Sequence, residues 1–170
     1  MGWSIEKLAP QHDREGFDCG NALLNNYLHV LAGQYSRRDL GQTYVAHPAD
    51  SNRVVGYYTI SASGLEYQML PQAMQKGLPR IQMPVVLLGR LAVDQSCQRR
   101  GIGRVLMIDA MVRVARLASE LGIRAMEVEA INENAREFYL RHGFVSLQDD
   151  LRHLYLPMAA VRKWVEQVEQ

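Results

Sequence analysis

Val93-Asp94-Gln95-Ser96-Cys97-Gln98-Arg99-Arg100-Gly101-Ile102-Gly103-Arg104 joins two strongly patterned segments. Before it, Val85 to Val93 is an almost unbroken apolar run interrupted by Arg90, the pattern of a strand covered on both faces. After it, Leu106, Ala110, Val114, Leu117 and Leu121 recur at helical spacing. They predict a helix from about Gly103 to Leu121, with Gly122 in a left-handed cap position. A polar loop that opens a helix is an anion site in physical terms. The first N–H groups of a helix have no intrahelical partner, and the macrodipole favours negative charge there. Gly101 and Gly103 allow close backbone approach, and Arg99, Arg100 and Arg104 add positive charge. The stretch has no GxxxxGK[ST] pattern, and Leu106 stands where a dinucleotide fingerprint needs its third glycine. Two glycines alone also suit a tight turn with solvated arginines.

Working outward, Ala125 to Ala130 reads as the next strand, so Val85 through Ala130 forms a strand–helix–strand unit. Asn132 can cap a helix running to about Arg141, and Gly143 ends it. Phe144 to Leu147 and Arg152 to Leu156 suggest a closing antiparallel pair, and Ala159 to Val168 a terminal helix. Upstream, Trp3 to Leu8 reads as an edge strand. Leu24, Leu28, Leu31 and Tyr35 mark one face of a helix from about Asn21 to Arg38, with Gly41 after its end. Thr43 to Ala46 and Val54 to Ser61 predict a hairpin, Pro71 to Gly77 a short helix, and Pro79 to Pro84 a loop. The expected fold class is α/β, a central mixed sheet flanked by helices, in a single domain over 1–170.

The 170 residues carry 19 basic and 18 acidic side chains, a net charge of +1, so a polyanion partner would need a local patch. No apolar run reaches membrane-spanning length, and the first ten residues show no signal-peptide pattern. No membrane partner is expected. Cys19 and Cys97 are far apart and make no metal spacing, so no metal is expected and a reduced, cytoplasmic setting is the default. Cys97, just before the loop, reads as a tolerated small residue.

Gln98-Arg99-Arg100-Gly101-Ile102-Gly103 resembles the acetyl-CoA signature Q/R-x-x-G-x-G/A of the GNAT superfamily of N-acetyltransferases. That family often continues with Asn, a short helix with an aromatic pair, and GF, matched by Asn132, Phe138-Tyr139 and Gly143-Phe144. The resemblance spans essentially the whole chain. It implies that backbone groups of Leu91, Ala92 and Val93 pair with the pantetheine arm. It implies that Gln98, Arg99, Arg100, Gly101, Ile102, Gly103 and Arg104 hold the pyrophosphate, with Asn132 and Phe138 also at the cofactor. Tyr139 would lie near the thioester sulfur. A tyrosine of pKa about 10 is protonated at neutral pH and can donate to a leaving thiolate, an assistance worth roughly 100- to 10,000-fold. Without the resemblance, Tyr139 reads as a buried aromatic beside Phe138.

Further stretches resemble the GNAT toxins of bacterial toxin–antitoxin modules: Phe17-Asp18-Cys19-Gly20-Asn21, Gly56 to Ala62, Gly89-Arg90-Leu91-Ala92-Val93-Asp94 and Ala135 to Leu140. This resemblance implies acetylation of the α-amine of aminoacyl-tRNA, a small ribbon-helix-helix antitoxin as partner, and a homodimer. Arg37, Arg38, Arg80 and Arg90 are the candidate tRNA contacts, although solvated cations suit a helix end equally well. Glu127 and Glu129 are candidate bases, or members of a salt-bridged strand face, and His142 and His153 read as surface residues. An α-amine is partly neutral at pH 7 and needs no strong base. Other readings are a GNAT acting on a small-molecule amine or protein N-terminus, a non-catalytic acyl-CoA-binding module, and a nucleic-acid-binding regulator.

Overall fold

The structure is a computed structural model and describes residues 2–170. Seven strands alternate with helices as the apolar periodicities predict. They are β1 (Trp3–Lys7), β2 (Gln42–Pro48), β3 (Gly56–Leu65), β4 (Met83–Val93), β5 (Ala125–Glu129), β6 (Val145–Ser146) and β7 (His153–Pro157). They form one mixed sheet in the order β1-β2-β3-β4-β5-β7-β6. The longer helices are α4 (Ile102–Ala118), α5 (Glu133–Arg141) and α6 (Met158–Glu169). Shorter ones are α1 (Ala22–Asn26), α2 (Ala32–Arg37) and α3 (Gln72–Gln75). Contacts divide the described residues into two units, 2–61 with 89–110, and 62–88 with 111–170.

In the first unit, β2 pairs antiparallel with β1 and β3, with Ile5 opposite Ala46 and Val45 opposite Tyr57. Its core gathers Phe17, Leu24, Tyr27, Leu28, Ala32, Val45, Val54, Tyr57 and Ala92. Gly56 is required by packing. A Cβ there would lie 2.9 Å from Leu106 Cδ1 and 3.2 Å from the Ala92 carbonyl oxygen. In the second unit, β4 runs parallel to β5 from the Val85–Ala125 pair to the Leu88–Val128 pair, as a strand–helix–strand unit requires. β5 pairs antiparallel with β7, and β7 with β6. Leu65, Leu70, Met83, Val85, Ala125, Leu147 and Tyr155 form its core.

Two local expectations change. The helix predicted from Asn21 to Arg38 is interrupted by a π turn, Tyr27–Leu31, where the Ala32 N–H reaches back to Tyr27 O. The extra residue rotates the face. Tyr27, Leu28 and Ala32 are buried while Leu31 is only half-buried. That helix ends at Arg37, with Gly41 after its end as expected, and Asp39 takes the left-handed cap position (φ 57). Asp39 N–H donates to Ser36 O and Leu40 N–H to Tyr35 O, the paired bonds of a Schellman cap. The helix after the loop stops at Ala118, one turn early, and Gly122 is not left-handed. Ser119 Oγ takes the Arg116 carbonyl at 2.7 Å, a side-chain bond that competes with continued helix. Leu117, in the helix's last turn, and Leu121, beyond its end, both lie outside the core, 42% and 64% exposed.

Candidate functional site

The loop from Gln98 to Arg104 is built as an anion nest. Arg99 (φ 63) and Gly101 (φ 83) both occupy the left-handed region, and α4 starts at Ile102. Glycine at 101 adopts this conformation without cost, whereas arginine at 99 is held there by its surroundings. A Cβ on Gly101 would meet nothing within 4 Å, so the space in front of the backbone is open. Ile102 is buried and anchors the first helical turn, while Arg99, Arg100, Gly101 and Arg104 are exposed. The Arg100 guanidinium lies 5.4 Å from the Trp3 ring centre. Exposed cations, open space and a long helix's N-terminus fit a phosphate ligand.

The Gln98 side chain faces back into the protein. Its Nε2 donates to Val93 O at 2.9 Å and to Cys19 O at 3.2 Å, bracing the loop against the end of β4. A second brace, not expected from the sequence, is Asp94. This carboxylate, 4% exposed, caps the 3₁₀ turn Gln95–Cys97 through Ser96 N–H at 2.9 Å and accepts from Asp18 N–H at 2.9 Å. Burial alone would raise its pKa, but the bonds from Ser96 and Asp18 and the nearby Arg53 bring it below the ordinary carboxylate value. Cys97 is buried in that turn. Leu91, Ala92 and Val93 lie on β4 past Leu88, the last residue of the β4–β5 ladder.

In the second unit, Tyr139 is fixed by a device local in sequence. Asn132 caps α5, its Oδ1 accepting from Ala135 N–H at 2.9 Å. Gly143 (φ 93) ends the helix, with Phe144 N–H donating to Tyr139 O and Gly143 N–H to Leu140 O. This Schellman cap brings Phe144 onto Tyr139, with ring centres 5.4 Å apart, and Phe138 flanks Tyr139 at 5.3 Å. Tyr139 is 5% exposed, and burial pushes its phenol pKa well above the usual value. At neutral pH it is a neutral O–H donor.

His142 and His153 are buried, not on the surface as expected. His142 Nδ1 faces Phe138 O at 2.7 Å, and its carbonyl accepts from Trp164 Nε1 at 2.9 Å, so it fastens the end of α5 to α6. His153 lies between two carboxylates, Glu127 Oε2 at 2.5 Å and Asp149 Oδ2 at 2.8 Å. Burial opposes its charge, but the two carboxylates prevail and raise its pKa. Glu127 is thus a member of a buried ion pair, while Glu129 is exposed. A buried polar pair could not be told from a solvated one by strand alternation alone.

Of the four candidate tRNA contacts, Arg37 and Arg38 are exposed at the end of α2. Arg80 is exposed, 5.9 Å from the Tyr67 ring centre. Arg90 is half-buried, its guanidinium 3.7 Å from the Tyr27 ring centre and 5.8 Å from that of Tyr35. Cation–π packing therefore engages it within the first unit. Glu6, His12 and His47 also converge. His12 Nδ1 accepts from Ala9 N–H, so its Nε2 carries the hydrogen that faces Glu6 at 2.8 Å. His47 Nδ1 faces the Pro48 and Ser51 carbonyls, and its Nε2 faces Glu6 at 2.8 Å. This is a hydrogen-bonded ion pair with a second histidine donor, not a set of free metal-binding lone pairs.

Comparison with known proteins adds four findings. A family described as "Acetyltransferase (GNAT) domain" matches residues 39–146. The chain is 31% identical over 156 residues to a "tRNA-acetylating toxin" of Mycobacterium tuberculosis, covering 92% of each. It resembles the solved structure of AtaT complexed with acetyl-methionyl-tRNAfMet, with TM-score 0.87 and 33% identity, covering 99% of this chain and 100% of that one. It also resembles an AtaT mutant toxin bound to the C-terminus of the antitoxin AtaR and acetyl-CoA, with TM-score 0.83 and 30% identity, covering 98% and 100%.

Proposed function

The chain belongs to the GNAT family of acetyltransferases, and from that premise we propose that it transfers acetyl from acetyl-CoA to the α-amino group of aminoacyl-tRNA, as the toxin of a toxin–antitoxin module. The observation that carries this reading is the match across 92% of the chain to a protein named for acetylating tRNA. The complexes of AtaT with an acetylated aminoacyl-tRNA and with acetyl-CoA point the same way. The sequence is read as one catalytic domain over 1–170. The partner is an antitoxin, here of the ribbon-helix-helix type, the active species a homodimer, and the setting the cytoplasm.

The residues take these roles in the proposal. N–H groups from Arg99 to Arg104 receive the pyrophosphate of acetyl-CoA, where the left-handed backbone and the start of α4 present donors. Gln98 acts by bracing that loop. The backbone of Leu91 to Val93 lies beyond the last β4–β5 pair and takes the pantetheine arm. Asn132, at the start of α5, and Phe138, in its second half, take further contacts to the cofactor. The neutral amine forms the new C–N bond at the acetyl carbonyl, and the C–S bond breaks. Tyr139 Oη donates its proton to the leaving sulfur as the C–S bond breaks and regains one from solvent, which also takes up the proton lost by the amine. An esterified α-amine is neutral often enough at pH 7 to dispense with a dedicated base. Arg37, Arg38 and Arg80 offer exposed positive charge for tRNA phosphates. Arg90, packed on two tyrosines, orders its surroundings and contributes less directly.

The test is expression in bacteria. The intact chain is expected to arrest growth and Tyr139→Phe to permit it. Vigorous growth with the intact chain, expressed in soluble form, would remove the toxin reading and favour a GNAT acting on another amine.

A further inference from the structure

The stretch Phe17-Asp18-Cys19-Gly20-Asn21 takes no direct part in the function above, yet it is tied to the phosphate loop by long-range bonds. Asp18 N–H donates to Asp94 Oδ2 at 2.9 Å, and Gln95 N–H donates to Asp18 O at 2.8 Å. Cys19 O receives Gln98 Nε2. Gly20, at φ 89, lets the Gln95 side chain approach so closely that a Cβ would lie 2.7 Å from its Nε2. Behind this contact Asn25 closes the segment. Its Oδ1 accepts from Cys19 N–H, and its Nδ2 donates to Asp18 Oδ1, both at 2.9 Å.

Asp94 is the centre of this clasp. Oδ1 accepts from Ser96 N–H at 2.9 Å and Ser96 Oγ at 2.6 Å and lies 3.5 Å from Arg53 Nη2, while Oδ2 is filled by Asp18. Its own N–H donates to Val55 O at 2.8 Å. Two residues after the capped turn, Arg99 stands in the left-handed region that arginine seldom adopts. Such a conformation persists only where the flanking structure dictates it. The clasp fixes the chain on the amino-terminal side of that residue, and buried Ile102 fixes it on the other.

We infer that Asp94 is a positioning residue for acetyl-CoA: the Asp94–Asp18–Asn25 clasp holds the Arg99–Gly103 backbone in the shape that receives the pyrophosphate. This rests on the phosphate-loop reading above. The Asp94 side chain touches neither cofactor nor acceptor in this account, and it acts through the loop.

The test measures binding of coenzyme A and of pantetheine, which lacks the pyrophosphate, to three full-length proteins at a temperature where each is folded by circular dichroism. They are the intact chain, Asp94→Asn and Asn25→Ala. Asparagine keeps the size of Asp94 but turns one acceptor into a donor that faces an N–H group. The expected result is a dissociation constant for coenzyme A raised about tenfold in Asp94→Asn and about threefold in Asn25→Ala. Pantetheine affinity should stay within about twofold in both. Equal weakening for both ligands, or unchanged coenzyme A affinity, overturns the proposal. Should Asp94→Asn fail to fold, Asn25→Ala decides it alone. If the intact chain binds coenzyme A no tighter than pantetheine, the phosphate-loop reading itself fails.

Discussion

The phosphate loop and the Tyr139 helix solve the same problem, holding a functional group still, by opposite means. Tyr139 is held locally. Its cap, its aromatic neighbours and the glycine that ends its helix all fall between Asn132 and Phe144. The loop is held from a distance, with Asp94 reaching Asp18 and Gln98 reaching Cys19, each across more than seventy residues. The difference shows which parts of a site can be substituted in isolation. A local device fails locally, whereas the loop's shape depends on a segment with no ligand contact of its own.

The largest expected effect separates the chemistry from both scaffolds. Tyr139→Phe keeps the ring against Phe138 and Phe144 but removes the proton donor. It should lower kcat by roughly 100- to 10,000-fold, with coenzyme A affinity unchanged by calorimetry. A loss under tenfold would remove Tyr139 from the acid role. Next is Gly101→Ala. The Cβ has room, so the effect comes from the left-handed backbone (φ 83) alone, a cost of about 1–2 kcal/mol. Loop relaxation to relieve it should weaken coenzyme A binding by about tenfold.

Gly143→Ala bears the same backbone penalty (φ 93), and its Cβ would make ordinary contacts at 3.6 Å to Leu156 and 3.8 Å to Trp164. Its effect should appear as stability, an unfolding temperature lower by about 2–8 °C, with coenzyme A affinity held. Parallel affinity losses in the two glycine variants would erase the contrast between the regions.

The smallest effect is in pH. His47 in the first unit and His153 in the second both have raised pKa values. For each, burial works against the charge, and hydrogen bonds to carbonyls or carboxylates outweigh it. Such groups stabilise fully below the unfolded histidine value of about 6.5 and lose that contribution as pH rises through the folded value. Thermal unfolding should therefore come at lower temperature at about pH 9 than at about pH 6. Glu6→Gln should shrink His47's share of that slope, with the Pro48 and Ser51 carbonyls still favouring its charge, and leave His153's share in place. A melting temperature flat across that range would contradict both pairings.

Much of this was legible in the sequence. The β4–α4–β5 unit, the hairpin, the α5 cap and the Gly143 stop follow from periodicity and from capping residues a few positions apart. What escaped was of two kinds. The π turn at Tyr27–Leu31 and the early stop at Ser119 depend on one extra residue or one side-chain bond, finer than any apolar pattern resolves. The Asp94 clasp and the Glu127–His153 pair join residues far apart in sequence, and a buried acid looks like a surface acid until its partner is seen. Arg90 shows the same limit: as a letter it is a free cation, and in the fold it packs on Tyr27.

The central claim is the acceptor, the α-amine of aminoacyl-tRNA. Charged total tRNA is incubated with the protein and acetyl-CoA, digested, and its aminoacyl-adenosines are weighed by mass spectrometry. The account predicts a species heavier by one acetyl group on the amino acid with the intact chain, reduced at least a hundredfold with Tyr139→Phe. Aminoacyl-adenosines of unchanged mass, under conditions where the protein binds acetyl-CoA, would contradict it.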